Sequence, residues 1–67
     1  SRVEAARAQR QEANTRMEEA QNNFARAREL LEKKLIAKAD FDRANAEFNA
    51  AKARLESSTA ALAAGDG

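Results

Sequence analysis

Leu30-Leu31-Glu32-Lys33-Lys34-Leu35-Ile36-Ala37-Lys38-Ala39-Asp40-Phe41 interrupts an apolar repeat that otherwise runs the length of the chain. Upstream, the repeat reads Val3, Ala6, Arg10, Ala13, Met17, Ala20, Phe24, Ala27, Leu31. Its steps alternate three and four residues, and Arg10 is its one polar member. That is the a/d pattern of a heptad coiled coil. Downstream, Phe41, Ala44, Phe48, Ala51, Leu55, Ser58 and Leu62 repeat in the same way. A period of 3.5 predicts a gentle left-handed supercoil. Continuing the first repeat past Leu31 lands on Lys34 and Lys38, then on Phe41 and Asn45, whereas the second repeat continues at Ala44. The seam therefore lapses between Leu31 and Phe41 and resumes out of phase. A lapse flanked by two matching seams is what a helical hairpin needs.

Composition agrees with helices throughout. The chain has 67 residues, no Pro, and Gly only at positions 65 and 67. Ala, Leu, Glu, Lys, Arg and Gln, all strong helix formers, fill most positions. The β-branched residues are Val3, Thr15, Ile36 and Thr59 alone, so no strand is expected. The predicted fold is all-α, an antiparallel two-helix coiled-coil hairpin. One hairpin spans 1–67, with a first helix over about 2–34, a turn over about 35–38 and a second helix over about 39–64. One continuous helix through 30–42, forming an intermolecular bundle, is the competing reading of the lapse. Apart from Arg10, each seam alternates a large residue with Ala or Ser. Folding back around Ile36–Lys38 sets Phe24 level with Ala51, Ala27 with Phe48, Ala20 with Leu55 and Met17 with Ser58. Large then opposes small in every layer. Each arm would be about 40–50 Å long.

Hydrophobic residues make up 43% of the chain, but only Phe24, Phe41 and Phe48 are aromatic and Ala dominates the rest. A core this thin gives roughly 3–5 kcal/mol at best, so stability should be marginal and the open end prone to fray. The 12 basic and 11 acidic residues leave a net charge of +1, mixed as on a solvated helical surface. Such a balance exerts no strong pull on nucleic acid or anionic lipid. No stretch approaches the ~20 apolar residues of a membrane span. Ser1-Arg2-Val3 opens without a cap-and-loop entry, and Gly65-Asp66-Gly67 closes an Ala-rich run. Both ends read as cuts from a larger protein.

The residues argue against an enzyme. There is no His, Cys or Tyr to serve as nucleophile or proton shuttle. Glu18-Glu19 and Asp40/Asp42 lie on a rod that offers no pocket to tune them. No Gly-rich phosphate loop or calcium-loop pattern occurs, so no cofactor and no metal are expected. Asp40 and Asp42 read as first-turn charges of the second helix, and Lys33 and Lys34 as last-turn charges of the first, each offsetting a helix dipole. The basic residues near the turn, Arg26, Arg28, Lys33, Lys34 and Lys38, are interleaved with Glu29, Glu32, Asp40 and Asp42 and lack a stacking platform. Leu30, Leu35 and Ile36 are different, being large aliphatics off the seam. Leu35 or Ile36 is expected to plug the end of the core, and Leu30 to face partly outward. Either the three cap the core locally, or they form a small apolar docking spot at the closed end.

Residues 26–44, Arg26 through Ala44, resemble the hairpin tip of bacterial periplasmic adaptor proteins, the membrane-fusion proteins of tripartite efflux pumps and type I secretion systems. The family's tip pattern is Arg, Leu four residues on and Ser seven further; Arg26, Leu30 and Ala37 stand at those positions. The likeness is most specific over 24–55 and includes Leu35-Ile36 before the turn and Asp40, Phe41 and Asp42 after it. Ala37 departs from the family Ser and lacks the hydroxyl that would cap the second helix. The resemblance implies a structural docking module. Its parent would be anchored at the inner membrane and cross the periplasm of a Gram-negative-type bacterium. Its hairpins would form a funnel, commonly of six, meeting a TolC-type outer-membrane channel. An inner-membrane transporter would be engaged through other domains of the parent. Arg26, Leu30, Ala37 and Lys38 would form the partner-binding tip, with Leu30 inserting and Arg26 donating hydrogen bonds to partner helix ends. The rival readings are a generic coiled-coil spacer or dimerisation hairpin, and a nucleic-acid-binding hairpin using Lys33 and Lys34.

Overall fold

The computed structural model describes residues 1–66, with side-chain surroundings through residue 64; Gly67 lies outside the described residues. Helix α1 spans Arg2–Glu32 and helix α2 spans Lys38–Asp66. They pack along their length into a rod of 49 × 13 × 11 Å, and no strand occurs among the described residues. The fold is the expected two-helix hairpin.

The interface is the pair of heptad seams. Ala27 and Ala51 are buried, 9% and 5% exposed. Val3, Ala6, Ala13, Met17, Ala20, Phe24 and Leu31 are half-buried on α1. Phe41, Ala44, Phe48, Leu55, Ser58 and Leu62 are half-buried on α2. Arg10 is exposed, so its charge stays in water at the cost of one seam layer.

The register differs from the one expected. The Phe24 ring lies 5.5 Å from that of Phe41 and 5.4 Å from that of Phe48. Phe24 is therefore level with Ala44, between the two, and not with Ala51. Met17 shares a groove with Phe48 and Leu55, which places it level with Ala51; Val3 and Ala6 share another with Ala61 and Leu62. The helices are thus offset by one heptad from the expected pairing. Large still opposes small, with Ala20 now facing Phe48 and Ala27 facing Phe41. The cause is an earlier turn: α1 stops at Glu32, and the connection occupies residues 33–37.

Two further expectations are corrected. α1 does have a cap, Ser1: its hydroxyl accepts from the Glu4 N–H at 3.3 Å, and the Glu4 carboxylate accepts from the Ser1 nitrogen at 3.3 Å. This is a capping box, which satisfies two otherwise orphaned donors. Lys33 and Lys34 do not sit in the last turn of α1. Lys33 is its C-cap, and Lys34 follows with φ 59°.

That positive φ explains how the chain turns without glycine. The Leu35 N–H donates to the Leu30 carbonyl at 2.8 Å and the Lys34 N–H to the Leu31 carbonyl at 2.9 Å. These two bonds define a Schellman motif, with Lys34 in the left-handed position that glycine usually fills. An L-residue there costs about 1–2 kcal/mol. Lys34→Gly removes that cost but adds roughly 0.5–1 kcal/mol of backbone entropy to be lost on folding. The net expectation is a gain of about 0.5–1 kcal/mol, read as a rise of a few degrees in the thermal midpoint followed by circular dichroism. A lower midpoint would show that Lys34 contributes something its backbone does not explain.

Candidate functional site

The closed end of the rod is built from two apolar pairs, each five residues apart. Leu30 and Leu35 occupy the positions that flank a Schellman turn and are commonly in apolar contact. Ile36 and Phe41 occupy the matching positions at the start of α2. The Ala37 carbonyl accepts from Asp40 N–H at 3.0 Å and Phe41 N–H at 3.3 Å, which makes Ala37 the N-cap. Ile36 precedes that cap and Phe41 is the fourth residue after it, the geometry of a hydrophobic staple. Ile36 and Phe41 are both half-buried. Of the two residues expected to plug the end of the seam, Ile36 is the half-buried one.

Leu35 is left over. It is 67% exposed, the one large hydrophobic side chain exposed among the described residues. Leu30 is half-buried. That fits the expectation that Leu30 faces partly outward, but Leu35, in the connection between the helices, is the more exposed of the two. The spacing of the pairs 30/35 and 36/41 was the available signal, since each matches a known cap motif.

The polar residues around this spot are held locally. Arg26 is exposed and donates to the Asn23 side-chain oxygen at 3.1 Å. Lys33 pairs with Glu29 at 3.1 Å. Lys38, exposed in the first turn of α2, donates to both carboxylate oxygens of Asp42 at 3.3 and 3.2 Å. Arg43 reaches Asp40 at 3.4 Å. All four pairs are exposed and intrahelical, each of a kind that stabilises a helix by about 0.2–0.5 kcal/mol. The basic side chains at the tip are thus matched by neighbouring acceptors rather than gathered into one cationic surface.

Ala37 has no side-chain oxygen for the N–H groups of the first turn, and its carbonyl takes those of Asp40 and Phe41 only. Ala37→Ser restores a capping hydroxyl at an exposed site and is expected to raise stability by about 0.5–2 kcal/mol. Urea unfolding followed by circular dichroism measures it. No change in midpoint would mean that the first-turn amides are already satisfied by water at no cost.

Such an end can bind by shape and apolar contact. The clefts along the rod are open grooves between the helices, and no cluster of His, Cys, Asp or Glu suited to a metal occurs among the described residues. No helix is long and apolar enough to cross a membrane. Residues 2–65 match the family described as RND MFP, alpha-helical hairpin domain. The chain belongs to that family. No curated protein and no solved structure matched. The RND MFP hairpin is a structural adaptor domain, and its membrane-fusion proteins act in RND efflux assemblies. Their partners are in general an outer-membrane channel and an inner-membrane transporter, and they are adaptors of the periplasm. The match covers both helices and the turn, so the tip described above is the tip of an RND adaptor hairpin.

Proposed function

We propose that this hairpin docks, through its closed end, onto the α-helical entrance of a TolC-type outer-membrane channel and so helps to assemble a tripartite efflux complex. The observation that carries this reading is the closed end: one exposed aliphatic, Leu35, in the connection between the helices, with Leu30 half-buried on α1 and Arg26, Lys33 and Lys38 exposed. An apolar knob with a polar rim is the form of a small docking surface. Arg26 has donors beyond its single bond to Asn23 with which to reach carbonyls at partner helix ends. Ala37 contributes a small surface where the backbone can come close, and Lys38 a rim charge. The parent is placed in the periplasm with its anchor at the inner membrane. Copies stand side by side as a funnel, commonly of six, and the transporter is reached through other parts of the parent.

Photo-crosslinking from positions 30 and 35 of the parent protein, in cells that express the channel, tests the reading. Both positions are expected to capture the channel, and position 35 more strongly because it is the more exposed. Capture of neighbouring adaptor copies alone, with a competent channel present, would place the tip inside the self-assembly and remove the docking role.

A further inference from the structure

We infer that the register of this hairpin is set by its tip, so that loosening the tip lets α2 slide along α1 by one heptad. Along the stem, no side-chain hydrogen bond or ion pair among the described residues joins the two helices. All five ion pairs among the described residues are within one helix, three or four residues apart. Every hydrogen bond involving a side chain is equally local. What joins the helices is the apolar seam, and it repeats every seven residues with large and small residues alternating on both sides.

Such a seam accepts two offsets. In the observed one, Phe24 is level with Ala44, Ala20 with Phe48 and Met17 with Ala51. One heptad further, Phe24 meets Ala51, Ala20 meets Leu55 and Met17 meets Ser58, and large again opposes small. Phe24 keeps Phe48 as a neighbour in both. The differences lie at the ends. The slide separates Phe24 from Phe41, undoes the cap at the start of α2 and brings Lys34 into the seam; at the open end it carries Leu62 from beside Val3 and Ala6 to the level of Ala13 and moves Arg10 clear of the layer it interrupts. The Schellman turn, the Ile36–Phe41 staple and the Phe24–Phe41 pair all lie within residues 24–41 and favour the observed offset. The slide moves α2 by about 10.5 Å relative to α1. Events at the tip would then be felt as a displacement at the open end of the rod.

Cysteine trapping under oxidised glutathione tests this on the full chain. Ala20→Cys with Leu55→Cys reports the slid offset. In the observed one the two positions are seven residues out of level, about 10.5 Å along the axis, too far for a disulfide, which needs Cα atoms within about 7 Å. Ala20→Cys with Leu62→Cys, two heptads out of level, reports general opening. Combining Lys34→Val and Ile36→Ser weakens the turn and the staple. The 20/55 pair is then expected to close at least tenfold faster than with the native tip, while 20/62 stays slow. Equal rates for 20/55 and 20/62, or no acceleration of 20/55, would overturn the inference. If the doubly altered tip fails to fold by circular dichroism, the folded Lys34→Gly variant decides. Its less strained turn should slow 20/55 closure about two- to fivefold, and an unchanged rate would show that the seam itself holds the register.

Discussion

Phe24→Ala is expected to destabilise the hairpin by about 2–4 kcal/mol, somewhat less than a fully buried Phe loses because the ring is half-exposed. Phe24 is the one side chain that touches both other aromatics, Phe41 at 5.5 Å and Phe48 at 5.4 Å. Its removal breaks both pairs and leaves Ala27 and Ala20 to face Phe41 and Phe48 across a gap. Each aromatic pair adds about 0.5–1.5 kcal/mol beyond area burial. The Arg28 guanidinium, 5.9 Å from the Phe24 ring centre, loses its partner as well. With a core worth roughly 3–5 kcal/mol in a chain this short, the change removes most of the stability. Circular dichroism in urea is the measurement, with Leu62→Ala as the comparison because Leu62 lies on the seam beside Val3, Ala6 and Ala61, in a groove with no aromatic residue. Equal losses for the two variants would mean that the aromatic cluster adds nothing beyond ordinary burial.

Leu35→Asp should separate docking from folding. Leu35 is 67% exposed, so a charge there costs the hairpin little, about 0.5 kcal/mol or less. If the apex is the docking knob, the same change buries an unpaired carboxylate against the channel, and capture of the channel in cells should fall at least tenfold. Leu30→Asp should also lose capture, but with a lower thermal midpoint, because Leu30 is half-buried against the turn. Undiminished capture with Leu35→Asp would shift the docking role to Arg26, Lys38 or the flanks of the rod. A fall in capture for Leu30→Asp alone would return the apex role to Leu30, as the family pattern of Arg26 and Leu30 implies.

These two predictions rest on different kinds of legibility. That the chain is two helices follows from local chemistry: helix formers throughout, no Pro, and apolar positions that step by three and four. The position of Phe24 on the seam is therefore visible in the sequence, and so is the lapse that forces a turn. The role of Leu35 is not, because Leu30, Leu35 and Ile36 are equally apolar and equally off the seam. Which of them is covered depends on where the helix stops. The lysines misled in the same way: Lys33 and Lys34 look like last-turn charges, yet one caps α1 and the other takes a left-handed conformation that glycine would have advertised. Ala37 was readable as the N-cap only because Ser would be natural there.

Helices, seam faces and the hairpin itself were legible in the residues, since each depends on neighbours within a turn or two of one another. So were the pairs 30/35 and 36/41, whose spacing matches two cap motifs. The register was not, and with it neither the neighbours of Phe24 nor the exposure of Leu35. The repeat is the cause. A seam of period seven packs almost equally well when shifted by seven, so its energy distinguishes faces but not offsets. The offset is chosen by a few backbone hydrogen bonds at residues 30–41 and by one aromatic pair that forms only when the chain has already folded back.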